Sequence, residues 1–232
     1  MTGTLYGIGV GPGDPELITL KAMRLLAAVP VIAYPATQDG ESLARRVAQP
    51  HIAPGRIEIA MEIDITRPHA DNEGRYDTAA ERIAEQLAAG RDVAALCEGD
   101  PLLYGSFVYL AARLSSRFPT VIVPGVTSVT AAAAVTHHAL ATGTDPLMVI
   151  PASLPEDILR AQLLGASAVA LIKVGRHFAK AKRALASAGL LEGATVASRV
   201  GFPDQRIAPA ASLADDDRVP YFSVILARRS ER

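Results

Sequence analysis

Apolar residues come in short clusters split by polar turns, and their spacing changes along the chain. Residues 4–10 form an apolar run that predicts a buried strand, broken sharply by Gly11-Pro12-Gly13-Asp14-Pro15. The pattern then predicts a helix over 19–28, a strand over 31–34, a helix over 42–49 and an alternating strand over 57–63. The polar stretch 66–74, with one Pro and no period, predicts a loop. Ala80, Ile83, Ala84 and Leu87 then fall at helical spacing, and Gly90 stands where a helix should stop. Strands are predicted over 93–97 and 120–123, with a helix over 107–114 between them.

The second half opens at Pro124-Gly125. Helices are predicted over 129–135, 155–164 and 176–188, and strands over 147–150, 168–174, 195–200 and 221–227. Residues 208–220 predict a loop carrying the acidic run Asp215-Asp216-Asp217. Strands alternate with helices in both halves, so the expectation is two α/β domains, 1–123 and 124–232.

Composition narrows the function classes. The 232 residues carry 23 basic and 24 acidic side chains, a balance that argues against nucleic acid as the main partner. Cys97 is the single cysteine, so no intrachain disulfide framework exists and a reducing compartment is expected. The Met1-Thr2-Gly3-Thr4 start lacks a signal-type run, and the Ala-rich stretch ending at His137-His138 is too short to span a membrane. A cytoplasmic protein with no membrane partner is the expectation. The adjacent His137 and His138 face different ways on a helix, and His51, His69 and His177 show no ligand spacing, so no metal site is expected.

Three loops carry candidate chemistry, and each follows a predicted strand, where open α/β sheets bind ligands. The first is Gly7-Ile8-Gly9-Val10-Gly11-Pro12-Gly13-Asp14-Pro15-Glu16. A dinucleotide fingerprint would need Gly at position 12 or 14, where Pro and Asp stand. Pro12 has no N–H for a phosphate and Asp14 would repel one, so the loop suits a neutral or cationic ligand. Asp14 is equally suited to capping a turn. The second loop is Glu98-Gly99-Asp100-Pro101-Leu102-Leu103-Tyr104-Gly105-Ser106, where two acids crowd the end of an apolar strand. Buried carboxylates need a cationic or hydrogen-bonding partner, which a sulfonium, a ribose diol or an amino group would supply. The alternative is a helix-entry turn that Asp100 caps; Gly99 and Pro101, which fix the backbone around it, favour the ligand. Gly99 itself suits close approach of a ligand to the backbone or a turn with φ > 0. The third loop, Pro124-Gly125-Val126-Thr127-Ser128, offers two hydroxyls that suit either a helix N-cap or a nucleoside. Arg67, Arg75, Arg176 and Lys180 are candidates to meet an acidic substrate.

In order and spacing, these loops resemble the tetrapyrrole methylase family. The resemblance rests on Gly7-x-Gly9-x-Gly11-Pro12-Gly13-Asp14-Pro15-Glu16-Leu17-Ile18-Thr19-Leu20-Lys21-Ala22, on Gly99-Asp100-Pro101 with Tyr104-Gly105-Ser106, and on Pro124 through Ser128. Stretches such as Glu41-Ser42-Leu43-Ala44-Arg45-Arg46, Lys173-Val174-Gly175-Arg176-His177-Phe178 and Pro220-Tyr221-Phe222-Ser223 are similar to the members acting on corrin precursors. Many relatives carry Gly where this chain has Glu98. The resemblance implies two α/β domains with a cofactor trough between them, a homodimer, and S-adenosylmethionine as methyl donor. It implies cofactor contacts at Pro12, Gly99, Asp100, Leu103, Thr127, Ser128, Val174 and Gly201, with Glu98 a further candidate beside them.

Overall fold

The computed structural model describes residues 1–63 and 69–229. Contacts divide the chain into two compact units, Met1–Thr127 and Ser128–Arg232. The first contains β1 (Leu5–Gly9), α1 (Leu20–Ala28), β2 (Val31–Ala36), α2 (Leu43–Ala48), β3 (Ile57–Glu62), α3 (Glu73–Ala88), β4 (Val93–Cys97), α4 (Phe107–Leu114) and β5 (Thr120–Val123). Its sheet has the order β3-β2-β4-β1-β5 and every pairing is parallel. A parallel sheet is covered on both faces, which is why β4 is buried at every position and reads as an unbroken apolar run.

The connections from β1 to β2 and from β2 to β3 step one way across this sheet; those from β3 to β4 and β4 to β5 step the other way. Right-handed crossovers therefore put α1 and α2 on one face and α3 and α4 on the opposite one. The core agrees: Val93, Ala95 and Cys97 of β4 pack with Tyr76, Ile83 and Leu87 of α3 and Phe107 and Leu110 of α4. Ala94 and Leu96 are buried outside that cluster, toward the other face. The reversal falls between β1 and β4, and in such sheets the crevice at the reversal is the ligand position.

Local signals set the helix ends. Thr19 caps α1 by accepting the Ala22 amide, and Ser42 caps α2 by accepting that of Arg45. After α3, Gly90 takes φ +78. That helix begins at Glu73, earlier than the expected loop end, after a short 3-10 turn at His69–Asn72. Arg113 of α4 holds this first turn, pairing with Glu73 at 2.5 Å and Asp77 at 2.7 Å, contacts that no local pattern announces.

The second unit contains α5 (Ser128–Thr136), β6 (Leu147–Pro151), α6 (Glu156–Leu164), β7 (Ala168–Ile172), α7 (Phe178–Ser187), β8 (Thr195–Ser198), β9 (Arg206–Pro209) and β10 (Ser223–Arg228). Its sheet order is β6-β7-β10-β8-β9, with β6 and β7 parallel and the other pairings antiparallel. Leu159 and Leu163 of α6 and Phe178 and Leu185 of α7 form its core with Leu171, Val196 and Ile225. Fully burying a side chain such as Phe178 contributes about 1.5–3 kcal/mol. β9 was not expected. It is a mostly exposed edge strand ending in Pro, visible only through its pairing with β8.

The first unit depends on unusually close backbone packing, which two substitutions test. A Cβ at Gly125 would stand 2.1 Å from the Gly99 carbonyl oxygen and 2.9 Å from Gly9 Cα. Gly125→Ala is expected to lose about 3 kcal/mol or more, at or beyond the upper end of overpacking costs. Gly74, in the first turn of α3, has nothing within 4 Å of that position. Gly74→Ala is expected to gain about 0.4–1 kcal/mol through the unfolded chain. Urea unfolding of both variants checks the contrast.

Candidate functional site

At the reversal between β1 and β4 the loops that follow them are joined. Cys97 O accepts the Val10 amide at 3.0 Å, and Gly11 and Gly99 exchange hydrogen bonds, at 2.8 Å from Gly99 N and 3.3 Å from Gly11 N. The loop after β5 closes on the same point. A Cβ at Gly9 would lie 2.6 Å from Gly99 O and 2.7 Å from Gly125 Cα. The three loops singled out in the sequence thus meet at one edge of the first sheet.

Asp100 locks this meeting. Its Oδ2 accepts the Gly125 amide at 3.0 Å and its Oδ1 accepts the Leu102 amide at 2.9 Å. Hydrogen bonds to a charged acceptor are worth about 1.5–3 kcal/mol each. Both oxygens retain further lone pairs, so the scaffold role leaves acceptor capacity for a ligand. Asp14 fills the capping role that the sequence offered it, accepting the Glu16 amide at 2.9 Å at the start of the 3-10 turn Pro15–Leu17. His51 Nε2 lies 3.2 Å from Pro15 O and ties this loop to the residues after α2.

Gly99 has φ +66, and a Cβ there would meet only Val126 O, at 4.0 Å. Space is open beside it, while the left-handed backbone alone makes a side chain cost about 1–2 kcal/mol. The positive φ that the sequence offered as one reading of Gly99 is present, and its strain would act on a side chain whether or not a ligand is bound. Residue 98 keeps some surface exposure, but its carboxyl is deep enough that burial raises its pKa, opposed by the amides of Glu98 itself and of Ala44. Glu98 thereby reaches the first turn of α2, the element that Ser42 caps. Burial also pushes the Cys97 thiol up to about 11, so it stays protonated and unreactive.

Of the other candidates in this unit, Pro12 is partly exposed, Leu103 is 41 % exposed and Thr127 directly precedes α5. Arg75 donates to the Glu62 carbonyl at 3.0 Å, at the end of β3. Arg67 lies outside the described residues.

In the second unit, Ser128 is exposed as the first residue of α5, and Val174 and Gly201 follow β7 and β8, the two neighbours of β10. Both strands end sooner than expected, for one reason. Lys173 (φ 55) and Arg199 (φ 50) each leave the extended conformation at once. Each is followed by a buried Val and then a positive-φ Gly, so Lys173-Val174-Gly175 and Arg199-Val200-Gly201 are matching turns. The Tyr221-Phe222-Ser223 segment joins them: Phe222 O accepts the Arg199 amide at 2.7 Å, and a Cβ at Gly175 would lie 3.2 Å from Tyr221 Cα. Sequence reasoning missed this pairing, although the repeated cation-Val-Gly triplet at two strand ends was available to it. Arg176 is exposed in the 3-10 turn Gly175–His177, and Lys180 Nζ donates to the Leu154 carbonyl.

Among the described residues no group of three or more His, Cys, Asp or Glu could hold a metal ion. No helix there is long and apolar enough to cross a membrane. The donor set around Gly99 fits the implied cofactor: open space at a glycine, the Asp100 carboxylate next to it, and the Thr127 hydroxyl one residue beyond Val126, whose carbonyl lies 4.0 Å from a Cβ at Gly99, suit a cationic sulfonium with an amino group and a ribose.

Comparison with known proteins gives the same direction. The family model for Tetrapyrrole (Corrin/Porphyrin) Methylases matches residues 4–214. The cobalamin biosynthesis protein CobIJ of Mycobacterium tuberculosis is 43% identical over 97% of the chain, which spans only 46% of that protein. The precorrin-2 C(20)-methyltransferase of a Sinorhizobium species is 38% identical over 97% of the chain and 94% of its own length. In fold, the chain is similar to uroporphyrin-III C-methyl transferase from Thermus thermophilus, solved in complex with S-adenyl homocysteine, with TM-score 0.73 and 22% identity over 97% of each chain. With ordered motifs, the parallel sheet with its glycine junction and a family match over most of its length, the chain belongs to the tetrapyrrole methylase family.

Proposed function

We propose that the chain transfers a methyl group from S-adenosylmethionine to the C(20) meso carbon of precorrin-2, giving precorrin-3A. The observation that carries this is the 38% identity to the Sinorhizobium enzyme across nearly the full length of both chains. Bound S-adenosylmethionine supplies an already activated methyl on a sulfonium. The protein therefore has mainly to align carbon, methyl and sulfur, and alignment of this kind contributes up to about 7–11 kcal/mol. Rigid loops serve that purpose. The junction of Gly9, Gly99, Asp100 and Gly125 holds the edge of the first unit without long side chains that would have to be ordered on binding.

Within this proposal, Pro12, Glu98, Gly99, Asp100, Leu103 and Thr127 are the cofactor contacts of the first unit, and Ser128, Val174 and Gly201 those of the second. Arg67, Arg75, Arg176 and Lys180 meet the carboxylates of the tetrapyrrole. Assembly as a homodimer and a cytoplasmic location belong to the same proposal, supported by the family resemblance and by the single, buried, protonated cysteine.

Incubation with methyl-labelled S-adenosylmethionine and precorrin-2 tests the reaction. Mass spectrometry is expected to find the label on the tetrapyrrole, and carbon NMR to place it at C(20). Label at another carbon, or transfer only to a cobalt-loaded substrate, would overturn the assignment.

Glu98 yields a separate prediction. Its folded pKa lies above the unfolded value, so the native state disfavours the charged carboxyl. Stability associated with this group is complete below the unfolded pKa and is lost as pH rises through the window between the unfolded and folded values. Gln at this position never ionises and keeps an oxygen for the Ala44 amide. Glu98→Gln is expected to melt above the wild type at pH 7.5, with the gap closing toward pH 4. Equal melting temperatures at both values would show that burial does not penalise this carboxylate.

A further inference from the structure

Among the described residues, four that are not glycine take positive φ: Tyr104, His137, Lys173 and Arg199. Positive φ is a genuine outlier for a bulky side chain, and such strain persists only where the surroundings over-determine it. Tyr104, with φ 55, lies in the loop between β4 and α4. Both ends of that loop are anchored. On one side Asp100 holds the Leu102 amide at 2.9 Å and the Gly125 amide at 3.0 Å. On the other, Gly105 packs so closely that a Cβ would lie 2.6 Å from Asp100 O, 2.7 Å from Pro101 O and 2.9 Å from Cys97 Sγ. Ser106 hydrogen-bonds Tyr76, and the amides of Ser106 and Phe107 face the Cys97 sulfur.

This frame forces the chain outward at its middle. Leu102 is 57% exposed, Leu103 41%, Tyr104 47% and Val108, in the first turn of α4, 37%. Apolar residues scattered singly over a surface need no explanation. A consecutive run of them, held by a strained and hydrogen-bonded loop beside Gly99 and Asp100, does. The loop lies at the sheet reversal, where ligands of open α/β folds bind.

We propose that Tyr104, with Leu102 beside it, is a positioning and specificity residue: it presents a flat apolar platform to the macrocycle face of the tetrapyrrole. The inference rests on the proposed tetrapyrrole substrate. That substrate has a broad apolar face and a carboxylate rim, and an aromatic ring held rigidly beside aliphatic groups matches the face while basic side chains match the rim. The left-handed backbone fixes the direction of the ring before substrate arrives, so the meso carbon is aligned at little entropic cost.

Tyr104→Asn and Tyr104→Phe in the full chain test this, because Asn tolerates left-handed backbone and Phe retains the ring. The readouts are melting temperature, S-adenosylhomocysteine affinity by calorimetry, KM and kcat with precorrin-2, and anisotropy of the fluorescent probe uroporphyrin III. Tyr104→Asn is expected to melt at or above the wild type and to bind S-adenosylhomocysteine within about twofold. Its KM for precorrin-2 and its dissociation constant for uroporphyrin III are expected to rise at least about fivefold, and Tyr104→Phe to restore both. Unchanged tetrapyrrole binding in Tyr104→Asn overturns the proposal, as does an equal loss of cofactor affinity or a fall in melting temperature. A shift from dimer to monomer on ultracentrifugation, with tetrapyrrole affinity intact, would assign the loop to self-association instead. Should the wild type bind S-adenosylhomocysteine yet neither methylate precorrin-2 nor bind uroporphyrin III, the substrate assignment fails and this inference falls with it. If the wild type does both and Tyr104→Asn matches it, the substrate assignment stands and only the role of Tyr104 is lost.

Discussion

Three backbone segments pass closer together at the edge of the first sheet than side chains would allow, and the rest of the site is built on that approach. Gly9, Gly99 and Gly125 come from three different strand ends, and a Cβ at Gly9 or Gly125 would collide with main-chain atoms of the others. Close packing gains dispersion contacts but would bury backbone polar groups at a cost if they lacked partners. The Gly11–Gly99 hydrogen bonds and the Asp100 carboxylate supply those partners. Asp100 is therefore a structural acid first, whatever it also offers a ligand.

The second unit solves a similar problem by another route. Its sheet is mixed, and two of its strands end in a left-handed cation followed by a buried Val and a positive-φ Gly. These abrupt turns put left-handed backbone at the sheet edge. The hydroxyls of Ser198 and Ser223, buried and 2.8 Å apart, pin β8 to β10 just beneath them. Each unit thus shapes its edge with main chain, which suits a reaction whose activated group arrives with the cofactor and whose main demand is alignment.

Charged side chains mostly brace the scaffold. Arg45 meets Glu58 at 2.8 Å, with Tyr34 donating to the same carboxylate, and so joins α2 to β3. Arg228 meets Asp145 at 2.6 Å and holds the segment after α5 against β10. Such solvent-accessible pairs, only partly buried, contribute little individually. Their effect is to fix where elements lie.

The sequence by itself determined the elements that local physics controls. Buried parallel strands read as apolar runs, so β4, α4 and β5 fall where the pattern puts them, and the Gly-Asp-Pro and Pro-Gly motifs mark the loops around Asp100 and Gly125. Tertiary structure decided the rest, because the decisive contacts join residues far apart in the chain. β9 becomes a strand only by pairing with β8. Lys173 and Arg199 cut their strands short because the Tyr221 and Phe222 backbone just before β10 meets the turns there. Glu98 turns toward α2, more than fifty residues earlier, and Asp100 toward Gly125, twenty-five residues later. Apolar period and turn chemistry are properties of neighbours along the chain; which carboxylate meets which amide depends on the spatial order of the strands in the sheet.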